Sequence, residues 1–262
     1  MLEKVDLSLS LGKSEYKQRI NAASARLTLL QRACWENGIP IIIVFEGWDA
    51  SGKGTSINLL AQSMDPRGFR IHAIKAATPL ELEMPWLWRF WLRLPNYGEV
   101  AIFDRSWYGR VVIERVEELV SKDVWRQAYE DILDFERTLS DNGYTLIKFF
   151  LHISKSEQKK RFEKLEKDKL QKWRVEKEDW LHHKKYDEYL AAIEEMLART
   201  ETEWGSWTLV EGTDRRWSRV KIMETVCRRL SEALQARGIP LPEVPVEVDE
   251  ETALQGADEG GS

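Results

Sequence analysis

The stretch Ile39-Pro-Ile-Ile-Ile-Val-Phe-Glu-Gly-Trp-Asp-Ala-Ser-Gly-Lys-Gly-Thr55 determines the fold expected for this chain of 262 residues. An apolar run typical of a buried strand leads into Gly47-x-x-x-x-Gly52-Lys53, and a helical pattern follows. In such a loop backbone N–H groups face an anion, the helix presents its positive end, and the lysine reaches terminal phosphates. The stretch predicts a phosphate-binding loop, with an ordinary strand–turn–helix corner as the alternative. The expected phosphate contacts are Gly47, Ser51, Gly52, Lys53, Gly54 and Thr55.

One position of the loop departs from the common pattern. The residue after Lys53 is usually Ser or Thr, whose hydroxyl holds Mg²⁺, but here it is Gly54 and the hydroxyl of Thr55 comes one step later. Asp49 lies inside the loop, where a carboxylate would repel phosphate unless a cation lay between them. Since Mg²⁺ is usually held by one or two carboxylates plus phosphate oxygens, Asp49 is a candidate metal ligand. The alternative is a turn residue that bonds its own backbone.

A second acidic motif follows another apolar run. Glu99-Val-Ala-Ile-Phe-Asp104 is typical of a buried strand that ends in an acid, and Arg105-Ser-Trp-Tyr-Gly-Arg110 comes next. In phosphate-loop enzymes an acid at this place holds Mg²⁺ directly or through water. Arg105 and Arg110 would neutralise charge on a transferring phosphoryl group. The alternative is a helix N-cap with a surface ion pair.

These two motifs and several shorter segments together resemble the polyphosphate kinase 2 family, over roughly residues 15–237. The most specific element is Phe103-Asp-Arg-Ser-Trp-Tyr108. The matching segments are Gly47–Gly54, Lys75-Ala-Ala-Thr-Pro79, Leu94-Pro95, Phe103–Arg110, Glu114-Arg-Val116, Lys160-Arg-Phe162, Lys172-Trp-Arg174 and Thr200-Glu-Thr202 through Trp207.

The resemblance implies reversible phosphoryl transfer between inorganic polyphosphate and an adenine nucleotide (AMP, ADP or ATP), with Mg²⁺ as cofactor and Mn²⁺ as an alternative. The segment around Gly109 most resembles the polyphosphate:AMP phosphotransferase subgroup, so AMP is the expected acceptor, with slower onward phosphorylation of ADP. The resemblance also implies a homo-oligomer, a dimer or tetramer. The further phosphate or nucleotide contacts that it implies are Lys75, Arg89, Glu114, Arg161, Lys164, Trp173 and Arg174.

The region 148–188 carries 13 Lys and Arg residues against 9 Asp and Glu residues. Ser154-Lys-Ser-Glu157 predicts a capping box at the start of a basic helix. The resemblance places a lid over the phosphates at about residues 155–185, in which Arg161 and Lys164 would follow the polyphosphate chain. The alternative is a solvated amphipathic helix with charges of both signs.

Alternating strand and helix patterns predict a P-loop kinase-like α/β fold, a three-layer α/β/α sandwich around a five-stranded parallel sheet with a helical lid. The expected strands are Ile39–Glu46, Arg70–Ala76, Val100–Asp104, Thr145–Ile153 and Trp207–Glu211. The expected helices are Lys13–Trp35, Lys53–Met64, Leu80–Leu94, Trp107–Val120, Lys122–Asp141, Lys155–Asp168, Asp179–Thr200 and Asp214–Arg237.

Charge is distributed unevenly along the chain. The net charge of −5 includes seven acids and no Lys or Arg in residues 240–262, which leaves +2 for the rest. We expect a helical segment at 1–38, a phosphotransferase domain at 39–239 and an acidic disordered tail at 240–262. Two cysteines cannot make a disulfide framework, and the start lacks the pattern of a signal peptide. These features favour a cytoplasmic enzyme that binds neither membrane nor nucleic acid.

Three functions are compatible with the motifs. The first is the polyphosphate:nucleotide phosphotransferase, in which Asp49, Lys53, Asp104, Arg105 and Arg110 carry the reaction. The second is an ATP-dependent nucleotide or nucleoside kinase, which would use the same loop without so long a basic path. The third is a catalytically silent protein that binds nucleotide or polyphosphate as a sensor.

Overall fold

A five-stranded, all-parallel sheet organises the chain in the computed structural model, which describes residues 1–243. The strand order is β2-β3-β1-β4-β5. The central position of β1 brings the end of β3 next to the phosphate loop, with Phe45 opposite Asp104. The strands are β1 (Ile41–Gly47), β2 (Phe69–Ala73), β3 (Val100–Asp104), β4 (Thr145–His152) and β5 (Trp207–Glu211).

Helices cover both faces of this sheet, which confirms the predicted three-layer α/β fold. Short 3₁₀ turns span Leu2–Lys4, Pro66–Gly68, Trp107–Arg110 and Lys172–Arg174. The α-helices are α1 (Lys13–Glu36), α2 (Lys53–Gln62), α3 (Pro79–Leu82), α4 (Trp88–Trp91), α5 (Ile113–Val116), α6 (Lys122–Asp141), α7 (Lys155–Lys167), α8 (Lys177–Lys184), α9 (Tyr186–Arg199) and α10 (Arg215–Gln235).

The two apolar cores explain why β1 is apolar at nearly every position. Side chains of a strand alternate between the faces of the sheet. Ile41, Ile43 and Phe45 pack with α1, α2 and α10, while Ile42 and Val44 face α6 and α9. Because both faces are buried, the strand is a continuous apolar run instead of an alternating one. The helix α1, which belongs to the predicted segment 1–38, contributes to the core that contains Ile41, Ile43 and Phe45, and it packs on α10.

Three of the predicted helices are wrong in extent. The expected helix Leu80–Leu94 is two short helices, α3 and α4, because Pro85 between them lacks an N–H donor and restricts the residue before it. The expected helix Trp107–Val120 is a 3₁₀ turn followed by α5, since tertiary contacts bury Trp107 and Tyr108.

The third is the expected helix Asp179–Thr200, which divides at Lys185 into α8 and α9. No breaker in the sequence marks this division. It lets α8 contact the phosphate loop through His182, while α9 packs on the sheet through residues such as Ile193 and Met196. The predicted strand Arg70–Ala76 is also shorter and shifted, at Phe69–Ala73. Residues 244–262 of the predicted acidic tail lie outside the described residues.

Candidate functional site

The phosphate loop has a backbone that glycine makes possible. Gly47 has φ of 136°, and an added Cβ there would lie 2.4 Å from the carbonyl oxygen of Leu151 on β4. Gly52 precedes α2 with φ of 113°. Residues with a side chain rarely adopt such angles, so both glycines are required by the backbone path of the loop. The sequence therefore places the N-terminus of α2 at the carboxyl end of the central strand, where anions bind.

The lysine of the loop is buried against its backbone. Lys53 Nζ donates to the carbonyl oxygens of Gly47 (2.8 Å) and Trp48 (3.0 Å). The hydroxyl of Thr55 donates to the carbonyl of Gly52 at 2.9 Å. Among the described residues the buried hydroxyl of Ser51 has no hydrogen-bond partner. The loop is thus internally organised around a buried cation.

A cleft of about 440 Å³ opens beside the loop, at the carboxyl ends of β1, β2 and β3. Ligands of open parallel sheets bind at such ends. Most of the sequence-predicted site residues line this cleft. They are Asp49, Ser51, Gly52, Lys53, Gly54, Thr55, Lys75, Asp104, Arg105 and Arg174.

Asp49 lies between the guanidinium of Arg105 and the imidazole of His182. Arg105 Nη2 donates to its Oδ1 at 2.7 Å, and Nδ1 of His182 lies 3.3 Å from its Oδ2. Burial alone would raise the pKa of Asp49, but the hydrogen bond from His182 and the charges of Lys53 and Arg105 outweigh it and hold the pKa well below its usual range. In return, the hydrogen bond to Asp49 raises the pKa of His182. Asp49 is therefore a carboxylate at neutral pH.

Arg105 takes an uncommon backbone conformation to reach Asp49. Its φ is 63°, in the left-handed region that a side chain disfavours, and its N–H donates to the carbonyl of Phe45 at 3.0 Å. Backbone strain of this kind persists only where the surroundings enforce it, and it is common at functional sites. The arginine is held at the junction of the cleft and a smaller neighbouring cavity of about 60 Å³, which Gly47 and Gly109 also line.

The residues after Arg105 anchor the turn in the core. Trp107 Nε1 donates to Glu136 at 3.0 Å, and Lys148 Nζ donates to Glu136 at 2.8 Å and to the hydroxyl of Tyr108 at 2.9 Å. Both members of the Glu136–Lys148 pair are fully buried. The Trp-Tyr part of the motif therefore supports the turn from beneath and lies away from the ligand cleft.

Arg110 and Glu114 form an ion pair with each other instead of lining the cleft. Arg110 Nη1 lies 2.8 Å from Glu114 Oε2, and its guanidinium lies 5.0 Å from the ring centre of Trp86. In the conformation described, neither residue lines the cleft or the smaller cavity. The structure therefore does not bring these two residues together with the other predicted contacts, and their roles stay predictions.

Arg89 supports the cleft from outside. Its Nη2 donates to the carbonyl of Lys75 at 2.8 Å, and its Nε lies 3.6 Å from Glu81. Lys75 itself is exposed and lines the cleft, where a phosphate contact is predicted for it. Arg89 holds the segment that carries Lys75 and does not itself line the cleft.

Arg161, expected to follow polyphosphate, does not line the cleft in the conformation described. Its side chain is only 7% exposed and all of its donors have protein partners. The predicted capping box is half formed: the Ser154 hydroxyl accepts from the N–H of Glu157, but the Glu157 carboxylate pairs with Arg161. Lys164 and Trp173 are exposed and do not line the cleft, whereas Arg174 does.

Three residues of the site escaped the sequence analysis. Arg215, the first residue of α10, lines the cleft together with Arg174. Its position directly after β5 could have indicated this, since loops at the carboxyl ends of strands form such sites. Gln158 donates to the carbonyl of Asp49 at 3.3 Å, and His182 contacts the Asp49 carboxylate. No local pattern marks these two residues.

The carboxylates of the cleft fit a hard cation whose coordination shell is completed by phosphate oxygens. Asp49 and Asp104 both line the cleft, and Asp49 is held ionised. Within residues 1–243 no cluster of three or more His, Cys, Asp or Glu side chains could hold a metal without a substrate. Mg²⁺ is commonly bound in this way, by one or two carboxylates and by phosphates.

Within residues 1–243, every helix is too short or too polar to cross a membrane.

Known proteins are similar to this chain in sequence and in fold. The chain is 42% identical over 233 residues to the polyphosphate:AMP phosphotransferase of Pseudomonas syringae pv. tomato, covering 89% of this chain and 47% of that protein. The crystal structure of a polyphosphate kinase 2 from Pseudomonas aeruginosa PA01, itself described as putative, superposes with a TM-score of 0.87 at 40% identity, over 89% of this chain and 50% of the other.

A second solved structure matches over nearly its whole length. Polyphosphate kinase 2 from Arthrobacter aurescens TC1 has a TM-score of 0.87 at 29% identity, over 98% of this chain and 92% of the other. The chain spans about half the length of the Pseudomonas proteins. The family model for polyphosphate kinase 2 (PPK2) matches residues 10–238. The chain therefore belongs to the polyphosphate kinase 2 family.

Proposed function

We propose that this chain transfers a phosphoryl group between inorganic polyphosphate and AMP, forming ADP, with Mg²⁺ as cofactor. The observation that carries the proposal is the cleft, which is lined by the phosphate loop and by further cationic side chains outside that loop. Lys53 and Arg105 lie at its inner end, and Arg174 and Arg215 lie on its lid and α10 side. The similarity to polyphosphate:AMP phosphotransferase supports AMP as the acceptor.

The outer arginines favour a long anion over an isolated triphosphate. Arg174 and Arg215 are both exposed, and Arg215 has neighbouring arginines at positions 161, 174 and 219. Partial desolvation and the charges of these arginines lower the pKa of Arg215, although Glu157 offsets part of this effect. A cluster with an excess of positive charge gains stability when a polyanion binds to it. Polyphosphate entering the cleft supplies such an anion.

The residues of the cleft act by positioning and electrostatics, which suffice for phosphoryl transfer. Asp49 and Asp104 would hold Mg²⁺, which would neutralise negative charge on the phosphates. Lys53 would move from its loop carbonyls to the terminal phosphates. Arg105 would stabilise charge on the transferring group through its bidentate donors. Asp49 and Arg105 are held in place by their contact with each other at 2.7 Å.

The test uses purified protein with Mg²⁺, long-chain polyphosphate and AMP, ADP or GMP in turn. We expect ADP from AMP, and slower formation of ATP from ADP. If the protein phosphorylates ADP but not AMP, the proposal of AMP as acceptor is rejected, while polyphosphate as donor is retained. No use of polyphosphate with any nucleotide, combined with transfer from ATP, would favour an ATP-dependent kinase. Binding without turnover would favour a sensor.

We also propose that copies of the chain associate. Apolar side chains of α3, of α4 and of the residue directly after α4 are exposed. An ion pair at 2.9 Å joins Glu81 of α3 to Arg93, which follows α4. Exposed apolar groups of this kind often mark interfaces. Light scattering should give a dimer or tetramer, and a monomer at assay concentrations would reject the proposal. The exposed side chains are Leu80, Leu82, Trp91 and Leu92.

A further inference from the structure

Arg161 uses its entire guanidinium on the protein. A guanidinium has five N–H donors, and every one has a partner here at 2.7–3.0 Å. The partners are the carboxylate of Glu157 and the carbonyls of Ala50, Ser51, Gly212 and Thr213. The side chain therefore joins the lid helix α7 to the phosphate loop and to the turn after β5.

The loop carbonyls on the α7 side determine where the N–H groups point. In a planar trans peptide, the C=O of one residue and the N–H of the next point in opposite directions. Gln158 and Arg161 hold the carbonyls of Asp49 and Ser51, so the N–H groups of Ala50 and Gly52 point the opposite way, and both residues line the cleft. Those N–H groups are the ones that a phosphate would contact.

The loop needs this support because part of its backbone is strained. Ala50 has φ of 58°, a left-handed conformation that costs about 1–3 kcal/mol for a residue with a side chain. Arg161 donates to the carbonyl of Ala50 at 3.0 Å, directly at the strained residue. On the opposite side, the N–H of Ser51 closes a turn on the carbonyl of Trp48 at 3.1 Å. The conformation is thus fixed from both sides.

We propose that Arg161 is a positioning residue that sets the anion-binding conformation of the phosphate loop through its backbone carbonyls, and does not contact polyphosphate. The proposal rests on the proposed function for the identity of the anion. Removing the side chain leaves buried carbonyls without donors, a loss that a lysine with three donors on one nitrogen cannot restore. The loop should then bind phosphates of any length less well.

The experiment compares Arg161→Lys with Lys159→Gln, an exposed control two residues away on the same helix. Calorimetry with inorganic tripolyphosphate measures anion binding, and steady-state assays with short and long polyphosphate measure kcat, KM and the salt dependence of KM. Thermal unfolding gives Tm, and all binding is measured well below it. Glu157→Gln is a milder variant that loosens Arg161 and keeps the loop carbonyls paired.

We expect Arg161→Lys to weaken tripolyphosphate binding at least ~10-fold, the cost of one charged hydrogen bond, and to lower kcat by a similar factor. The loss should be equal for short and long polyphosphate, with an unchanged salt slope. Glu157→Gln should change both in the same direction by a smaller factor, and Lys159→Gln should change neither.

Two results would overturn the proposal. One is a larger loss for long polyphosphate with a flatter salt slope, which would make Arg161 a cation that follows the chain. The other is a lower Tm with unchanged affinity and kcat, which would make its role purely structural. If Arg161→Lys does not fold, the same readouts on Glu157→Gln decide. If the wild type binds tripolyphosphate but never transfers from polyphosphate, the proposed function fails while calorimetry still tests Arg161.

Discussion

The buried pair Glu136–Lys148 beneath the Asp104-Arg105 turn gives the sharpest stability prediction. Both side chains are fully buried, and Lys148 Nζ donates to Glu136, to the Tyr108 hydroxyl and to the carbonyl of Thr200. Lys148→Met has a similar length but removes the cation. It leaves the carboxylate of Glu136 buried without a counterion.

The magnitude follows from that uncompensated charge. Breaking a buried pair by removing one partner costs about 3–5 kcal/mol. For a domain of this size each kcal/mol lowers Tm by about 2–4 °C, so Lys148→Met should lower Tm by about 6–20 °C. Glu136→Gln together with Lys148→Met keeps an acceptor for Trp107 and removes both charges. Because replacing both charges is often neutral, the double variant should recover at least ~2 kcal/mol.

The assay is urea unfolding at pH 7 followed by tryptophan fluorescence, with Lys164→Met as an exposed control that should stay within about 0.5 kcal/mol of the wild type. A change of less than ~1 kcal/mol for Lys148→Met would refute the reasoning. So would a double variant no more stable than the single one, because the loss would then not come from an unpaired charge. Since Arg105 lies next to this support, kcat of Lys148→Met should also fall.

Three further predictions concern the cleft. Asp49→Asn and Asp104→Asn should each lower kcat at least ~10²-fold, comparable to losing one preorganised electrostatic contact, and near-normal kcat with normal Mg²⁺ dependence would show that the acid does not bind metal. Arg215→Gln should raise KM for long polyphosphate and flatten its salt dependence, whereas Arg228→Gln on the same helix should change neither quantity. If the two variants give the same KM and the same salt dependence, Arg215 makes no specific contact with polyphosphate. Gly47→Ala should abolish tripolyphosphate binding in calorimetry, because its Cβ would overlap a β4 carbonyl at 2.4 Å; binding within a factor of two would contradict the close approach.

The parts of the fold that local chemistry encodes could be predicted from the sequence. The run Ile41–Phe45 and the glycines at 47 and 52 determine a strand and a loop almost by themselves, and β3 keeps its predicted bounds. The ends of these strands converge in the cleft as expected, because parallel strands carry their ligands at one edge. The site residues on those strands were therefore accessible to sequence analysis.

The residues that depend on tertiary partners could not be predicted in this way. Arg161 lies in a basic helix, and only its loop carbonyl partners show that it faces inward. The break at Lys185 carries no local signal, although it determines how His182 reaches Asp49. In the same way Trp107 forms part of a 3₁₀ turn because Glu136 accepts its indole N–H. Charge and periodicity in the sequence predict which residues lie on one face of a helix, but the contacts of that face become known only from the folded structure.

The central claim is that the cleft moves phosphate from polyphosphate to AMP. The most direct measurement is transfer from ³³P-labelled long-chain polyphosphate to unlabelled AMP with Mg²⁺ and no ATP, with Lys53→Met as the control that removes the cation of the loop. The account predicts labelled ADP from the wild type and a loss of at least ~10²-fold in Lys53→Met. If no labelled ADP forms from the wild type, or if the Lys53→Met variant forms as much labelled ADP as the wild type, the account is contradicted.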